Sequence, residues 1–235
     1  MRAETDADPS WVAQLTGRPL AAAEAAVEEA RADRSLFAYL ERAHRRAGRA
    51  SYVEIDAPLE LHAIARLVRP THAVEVGVSS GVSSAYLLAA LDRNGRGTLH
   101  SVDLPQATAR SGRHGGSSWS IPPGRFSGWA VPPRLRAGWD LRLGDKADVV
   151  PRLAKEYGRV DLVVYDVPHD EADLVAEFSA LDPRMPAGAV AIVDHGPGGG
   201  LCRALGGWSR RRAAVPARRQ GLGLYGMRCG PRQAG

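Results

Sequence analysis

Acidic side chains near the ends of five short apolar runs are the residues of this sequence best placed to do chemistry. They are Glu75, Asp103, Asp145, Asp166 and Asp194. Each run is typical of a β-strand, and helical segments separate the runs, which predicts a mostly parallel sheet. Ligands of such sheets bind beyond the carboxyl ends of the strands, so we expect these carboxylates to share one edge. A group of carboxylates favours a ligand that carries positive charge, hydroxyl groups or amino groups.

The sharpest local motif is Glu75–Val–Gly–Val–Ser–Ser–Gly81, where a strand ends and a helix follows. Gly77 allows a tight turn and the close approach of a ligand, and Gly81 allows the helix to begin against that ligand. The spacing differs from the dinucleotide fingerprint G-x-G-x-x-G, because Glu75 takes the place of the first glycine. A carboxylate there would repel a diphosphate, so the motif favours a cationic or amine-bearing ligand.

The next two strands add hydrogen-bond acceptors to the same edge. Asp103 ends the second predicted strand, and its carboxylate can accept from both hydroxyl groups of a ribose. Gly144 and Asp145 end the third strand, where an acid can accept from an adenine amino group. Together with the glycine turn, these positions predict an adenosine ligand whose attachment is positive and not phosphorylated.

The last two strands of the alternation each lead into an acid and a histidine. Asp166–Val–Pro–His169 follows the fourth strand, and Asp194–His195 follows the fifth. Two carboxylates and an imidazole could hold a hard divalent cation such as Mg²⁺, with water or substrate oxygens completing the octahedron. The imidazole could instead shift the preference toward manganese, iron or zinc. The sequence therefore predicts a metal site made of Asp166, Asp194 and His195.

These motifs, in this order, resemble those of class I S-adenosylmethionine-dependent methyltransferases. The resemblance runs from about Tyr52 to Met227 and includes the apolar strands before Asp166 and Asp194. It implies a Rossmann-like, doubly wound α/β fold and S-adenosylmethionine as the cofactor. The residues at the matching positions would bind that cofactor: Glu75, Gly77, Val78, Ser79, Gly81, Asp103, Leu104, Gly144, Asp145, Lys146 and Asp166.

The segment after the fourth strand resembles, more narrowly, the metal-dependent small-molecule O-methyltransferases. These include catechol-type enzymes and sugar O-methyltransferases related to cephalosporin-biosynthesis proteins. The resemblance makes Asp166 a catalytic metal ligand and His169, three residues later, the base that deprotonates the acceptor hydroxyl. The pair Asp194–His195 departs from the Asp–Asn or acidic pair of those enzymes. A metal-independent N- or C-methyltransferase is therefore an alternative.

Helices and strands must position these residues, and their alternation predicts a single α/β methyltransferase domain over residues 51–235. We expect a seven-stranded, mostly parallel sheet with a C-terminal antiparallel strand pair. A helix over Pro19–Gly48 would form an N-terminal helical extension, residues 1–50, that caps the sheet or makes the contact of a homodimer or higher homo-oligomer. The other predicted helices cover Ala57–Val68, Val82–Leu91, Lys146–Tyr157 and Asp170–Leu181.

Residues 105–139 interrupt this alternation with a long stretch rich in glycine, proline, serine and tryptophan. A loop of this length inside a compact domain is usually functional or disordered, and its tryptophans argue against disorder. We expect a lid over the ligand site, in which Trp119, Arg125 and Trp129 help to close over the cofactor and the acceptor.

The net charge of +5 suggests nucleic acid as a partner until the charge is located along the chain. Residues 104–139 and 201–235 hold 13 arginines and no acid, so the rest of the chain has 18 basic and 26 acidic residues. The rest of the chain is therefore acidic, which suits a cationic cofactor and makes the net charge weak evidence for nucleic acid. We expect a small molecule as the acceptor. A nucleic-acid methyltransferase and a non-catalytic protein of this fold are the alternatives.

The expected cellular location of the protein rests on segments and cysteine patterns that the sequence lacks. It has no run of about 18 apolar residues that could span a membrane, and its first residues lack the apolar segment of a secretory signal. Its two cysteines, Cys202 and Cys229, make neither a disulfide framework nor a zinc site. We therefore expect a cytoplasmic protein without a membrane span.

Overall fold

From His72 onward, strands and helices follow one another along the described chain in the order that the sequence predicts. The computed structural model describes residues 7–48, 58–105, 121–122, 124–167, 171–194, 215–218 and 224–231, and for 171, 194 and 215–218 it describes the backbone alone. Three residues with predicted roles in the site, Trp119, His169 and His195, lie outside the described residues.

The described strands form one sheet. They are β1 His72–Val76, β2 Thr98–Asp103, β3 Trp139–Leu143, β4 Leu162–Tyr165, β5 Val190–Asp194, β6 Val215–Arg218 and β7 Leu224–Arg228. Their order is β3-β2-β1-β4-β5-β7-β6, and β7 runs antiparallel to both of its neighbours. The predicted mostly parallel α/β sheet with an antiparallel closing strand is thus confirmed. The order reverses at β1, between β2 and β4, which is where open sheets bind ligands.

Helices cover both faces of this sheet. In the described part of the chain they are α1 Pro9–Thr16, α2 Leu20–Ala32, α3 Arg34–Arg46, α4 Pro58–Val68, α5 Val82–Asn94, α6 Lys146–Glu156 and α7 Glu171–Leu181. None of these described helices has the length and apolar character that crossing a membrane requires.

The prediction of one helix over Pro19–Gly48 is wrong, because Asp33 divides it into α2 and α3. The Asp33 carboxylate accepts a hydrogen bond from the Leu36 N–H at 3.0 Å and so caps the first turn of α3. A short acidic side chain competes for backbone N–H groups within a helix, which makes aspartate a good cap and a poor interior residue. The chain can therefore turn at this point, and α3 begins as a separate helix.

Alternate residues of the central strand β4 enter two separate cores. Leu162 and Val164 pack with α1 to α5, whereas Val163 and Tyr165 pack with α6 and α7. All four side chains are buried. A strand buried on both faces needs apolar residues at every position, which explains the continuous apolar run before Asp166.

The N-terminal helices share the first of these cores with the sheet. Trp11 and Leu15 of α1 and Leu36 and Leu40 of α3 are buried there, beside residues of β1, β4 and β5. Helix α1, which the sequence analysis did not predict, begins where the Asp8 carboxylate accepts from the Trp11 N–H at 3.1 Å. The division of the chain into two parts near residue 50 stays a prediction.

A row of hydrogen-bonded side chains crosses β1, β2 and β3. Nδ1 of His100 donates to the Asp140 carboxylate at 3.0 Å, so Nε2 of the neutral ring accepts from Nδ1 of His72, also at 3.0 Å. The His100 side chain is buried, and this burial lowers its pKa despite the neighbouring carboxylate. As the pH falls, the His100 ring in the folded protein therefore takes up a proton at a lower pH than an exposed histidine would.

We expect the substitution His100→Asn to cost more stability at about pH 7.5 than at about pH 5.5. Because the pKa of His100 is lower in the folded protein than the value of about 6.5 in the unfolded chain, its contribution is present above pH 6.5 and is lost as the pH falls through that value. The difference in unfolding free energy between wild type and variant should narrow by about 1 kcal/mol. Urea denaturation at both pH values measures it, and a gap that widens toward acid would contradict the assignment.

Candidate active site

The loop between β1 and α5, residues 77–81, is the centre of the candidate site. Gly77, Ser79 and Gly81 have positive φ angles of 97°, 49° and 90°. Glycine adopts such angles freely, but a residue with a side chain pays roughly 1–2 kcal/mol for them. Ser79 is therefore a strained residue, and contacts from other elements must hold the loop in this shape.

The two glycines of this loop make room for neighbouring backbone. A Cβ atom on Gly77 would overlap the carbonyl group of Asp166, which follows β4. A Cβ atom on Gly81 would lie 2.6 Å from Cγ2 of Val131 and 2.9 Å from Cα of Gly128. The absence of a side chain at both positions is therefore needed for packing against protein, and the contact of these glycines with a ligand stays a prediction.

The segment 124–138, here called the cover segment, packs on the loop and makes up most of the described part of the predicted lid. The N–H of Gly128 donates to the carbonyl of Ser79 at 2.8 Å, and that of Ala130 donates to the carbonyl of Ser80 at 2.9 Å. Ala130 and Val131 are fully buried. The cover segment thus forms a short backbone pairing with the loop.

Two of the residues predicted to close over the ligand lie together on this segment. The guanidinium carbon of Arg125 is 6.0 Å from the ring centroid of Trp129, within the range of a cation–π contact. Arg125 itself is exposed, and Trp129 is half-buried against the first core. The third residue, Trp119, lies outside the described residues.

Asp103 ties the loop to the end of β2. Its carboxylate accepts from the N–H of Ser79 at 3.0 Å and from the N–H of Leu104 at 2.9 Å. The Val78 N–H and the Ser127 hydroxyl donate to it as well. Burial raises the pKa of Asp103, and these hydrogen bonds act in the opposite direction. A ligand hydroxyl that reached Asp103 would share the carboxylate with donors already present.

Glu75 does not lie at the open edge but is enclosed beneath α5. Its carboxylate accepts from the hydroxyl groups of Ser83 at 2.7 Å, Ser84 at 2.6 Å and Ser101 at 2.6 Å. Complete burial raises the pKa of Glu75, while the three hydroxyl donors favour the ionised form. The side chain thus joins β1 to β2 and to the first turn of α5. Sequence reasoning missed these serines, although two of them, Ser83 and Ser84, lie in the first turn of the helix after Gly81 and could reach back to the strand.

The two residues that follow Gly144, Asp145 and Lys146, have different surroundings. Asp145 is exposed, and its carboxylate caps α6 by accepting from the Ala147 N–H at 2.9 Å. The Lys146 ammonium group points instead to α7, where it lies 2.8 Å from Glu177 and 3.3 Å from Asp173. Sequence reasoning missed this ion cluster because its members lie about 30 residues apart.

Gly144 lies beside Asp103 at the carboxyl edge of the sheet. Its N–H donates to the carbonyl of Asp103 at 2.9 Å. The predicted ribose and adenine positions, Asp103 and Asp145, are therefore brought near to each other by the ends of β2 and β3.

Asp166 and Asp194 stand at the ends of neighbouring parallel strands. The register pairs Tyr165 of β4 with Val193 of β5, so the next residue on each strand reaches the same edge. The N–H of Asp166 donates to the carbonyl of Val76 at 2.8 Å. Within the described side chains, no group of three or more His, Cys, Asp or Glu residues is arranged to hold a metal ion. The side chain of Asp194 and residues 168–170 and 195–200 lie outside that description.

One residue near the loop was missed altogether. His44 of α3 is buried, with its Nε2 atom 3.2 Å from the Ser80 hydroxyl and its ring centroid 4.9 Å from that of Trp129. The signal in the sequence was the spacing of Leu36, Leu40 and His44, which places the histidine on the apolar face of its helix.

Comparison with solved structures places this fold among methyltransferases. The O-methyltransferase TomG from Streptomyces achromogenes, solved in complex with SAM, superposes with a TM-score of 0.53 at 19% identity, over 85% of this chain and 90% of that one. The MycE methyltransferase of the mycinamycin biosynthetic pathway, solved with Mg and SAH, gives a TM-score of 0.50 at 16% identity, over 83% of this chain and 56% of that one. At these identities the likeness is one of fold.

Sequence comparison agrees with the fold. A protein from Mycobacteroides abscessus, whose name gives it as a candidate O-methyltransferase, is 34% identical over 141 residues. The match covers 60% of this chain and 56% of that protein, so the chain spans little more than half the length of this relative. A family model described as a methyltransferase domain matches residues 74–195, from the middle of β1 to the residue after β5 and just over half of the chain. The chain therefore belongs to the methyltransferase domain family.

Proposed function

We propose that this protein transfers a methyl group from S-adenosylmethionine to a hydroxyl oxygen of a small molecule. The observation that carries the proposal is the strained loop 77–81, whose Ser79 N–H is held by the Asp103 carboxylate at the edge where open sheets bind ligands. We choose oxygen as the methylated atom because TomG and the mycobacterial relative are both named as O-methyltransferases. A cytoplasmic location and a homo-oligomeric state stay predictions.

The cofactor would lie along the carboxyl ends of β1, β2 and β3. In this arrangement the backbone of residues 77–81 faces the methionine part, Asp103 accepts from the ribose hydroxyls, and Asp145 accepts from the adenine amino group. Leu104 and Gly144 would border the adenosine. Glu75 would act indirectly, because its three serine contacts hold α5 and β2 in place around the loop.

Methyl transfer chiefly requires that the acceptor oxygen be positioned against the methyl group and that another group take up the hydroxyl proton. The acceptor oxygen would take the methyl group as the carbon–sulfur bond breaks, and S-adenosylhomocysteine would be the other product. The hydroxyl proton would pass to an imidazole nitrogen of His169, which follows Asp166 by three residues. An imidazole with a pKa near 6.5 suits a base at neutral pH. Trp119, Arg125 and Trp129 would exclude water above the acceptor.

A divalent cation would be held at the ends of β4 and β5. Asp166 and Asp194, which end these neighbouring strands, would supply two carboxylates, the ligands that Mg²⁺ prefers, and His195 would be a third ligand. Such a cation would lower the pKa of the acceptor hydroxyl and orient it. Transfer to nitrogen or carbon without a metal is the alternative, and the Asp194–His195 pair leaves it open.

We expect the protein to bind S-adenosylhomocysteine and the Asp103→Asn variant to bind it about tenfold to a hundredfold more weakly. An amide cannot replace a carboxylate that accepts from several donors, and such charged hydrogen bonds are worth about 1.5–3 kcal/mol. Isothermal titration calorimetry measures both affinities. Asp92→Asn, an exposed acid at the far end of α5, is the matched control. Absence of binding by the wild-type protein would overturn the proposed function.

Titration with Mn²⁺ in the presence of S-adenosylhomocysteine tests the metal. We expect one bound ion, and a loss of affinity of about tenfold or more in Asp166→Asn and Asp194→Asn, because each removes a charged oxygen ligand. Asp92→Asn should bind the ion like the wild type. If the wild-type protein binds no ion, the metal-independent alternative takes the place of this mechanism.

The role of His169 as the base is tested by comparing wild type and His169→Ala in methyl transfer to a panel of acceptors. The panel holds small molecules with catechol, sugar hydroxyl or amine groups, and RNA. We expect formation of S-adenosylhomocysteine with a hydroxyl acceptor, and a rate about 10²-fold to 10⁴-fold lower in the variant at unchanged cofactor affinity. Equal turnover by the variant would exclude His169 as the base. Turnover with RNA alone would support the nucleic-acid alternative.

A further inference from the structure

His44 is a buried polar residue that the proposed mechanism does not use. It lies in the last turn of α3, before residue 74 where the match to the methyltransferase domain begins, and its side chain is 5% exposed. Nδ1 lies 2.8 Å from the carbonyl oxygen of Leu40, one turn earlier in the helix. Because a carbonyl can only accept, Nδ1 carries the proton and Nε2 of the neutral ring is an acceptor.

The donor to this acceptor is the hydroxyl of Ser80, at 3.2 Å. Ser80 is fully buried and stands between Ser79 and Gly81, the two left-handed residues at the end of the loop. Its carbonyl accepts from the N–H of Ala130 in the cover segment. The loop is thus held at one residue from two directions, by a side chain of α3 and by the backbone of the cover segment.

The imidazole also joins these two supports to each other. Its ring packs against the Trp129 indole with centroids 4.9 Å apart and planes inclined by 55°. An apolar side chain would suffice at this buried position if the residue served packing alone. Burial lowers the pKa of His44, which favours the neutral ring. Both ring nitrogens have partners that fit the neutral tautomer, so the orientation of the ring is determined.

We propose that His44 is a positioning residue, which holds loop 77–81 in its cofactor-binding shape through the hydroxyl of Ser80. The inference rests on the proposed function, since it concerns the affinity for the same cofactor. It gives the N-terminal helix α3 a part in cofactor binding, although α3 lies outside the matched methyltransferase domain. His44 touches no reacting atom in this role.

The test is a double-mutant cycle on the chain of 235 residues, with S-adenosylhomocysteine as the titrated ligand. Ser80→Ala removes one oxygen, and His44→Phe keeps a ring against Trp129 but removes both polar contacts. His44→Gln restores an acceptor and serves as the rescue variant. The control is His62→Gln, a change at another buried histidine, whose partners are Glu29 and the carbonyl of Tyr86 and not the loop.

We expect Ser80→Ala and His44→Phe each to raise the dissociation constant about fivefold to tenfold, as the loss of one buried hydrogen bond would do. The double variant should bind no more weakly than the weaker of the two single variants, because both remove the same contact. His44→Gln should recover part of the affinity. Hydrogen exchange of the peptide that contains residues 77–81 should become faster in both single variants, whereas His62→Gln should change neither measurement.

Two results would overturn the proposal. One is affinity within about twofold of wild type in both Ser80→Ala and His44→Phe, and the other is a double variant in which the two losses add in full. Failure of the proposed function is separate from both, since it would appear as an absence of binding in the wild-type protein.

Discussion

The loop from residue 77 to residue 81 has three residues in the left-handed region of backbone conformation, and one of them is a serine. Such a backbone is stable only when its surroundings compensate for the strain. The Asp103 carboxylate at the end of β2 accepts from the loop, and the backbone of the cover segment donates to it. The carbonyl of Asp166 lies so close to Gly77 that a side chain at residue 77 would clash with it. The ends of β1, β2 and β4 must therefore lie close together, which they do because β1 lies between β2 and β4 in the sheet.

The same constraint explains why elements outside the alternating pattern are part of the site. Helix α3 brings His44 to Ser80, and the cover segment brings Ser127 to Asp103. Both elements also bury apolar side chains in the first core, so packing fixes where these polar groups stand. The described part of the segment predicted to be a lid thus packs directly on the loop.

Acids that look alike in the sequence have different surroundings in the fold. Asp103 lies at the edge and is shared among backbone donors, Asp145 is exposed and caps α6, and Glu75 is enclosed by three serines. The strand pattern predicts that all three lie near strand ends, but it does not tell which face each side chain takes. Glu75 pairs in register with Ser101, on the face that α5 covers, and this pairing decides its burial.

The amino-acid sequence by itself determined the alternation of strands and helices, the parallel sheet and the glycine loop after β1, because apolar period and glycine spacing are local properties. It did not determine the break at Asp33, where a cap competes with a continuous helical pattern, nor the ion cluster of Lys146 with Glu177. It also left His44 as one more residue on an apolar helix face. The tertiary structure decided these, since contacts between residues far apart in the chain depend on how helices are laid across the sheet.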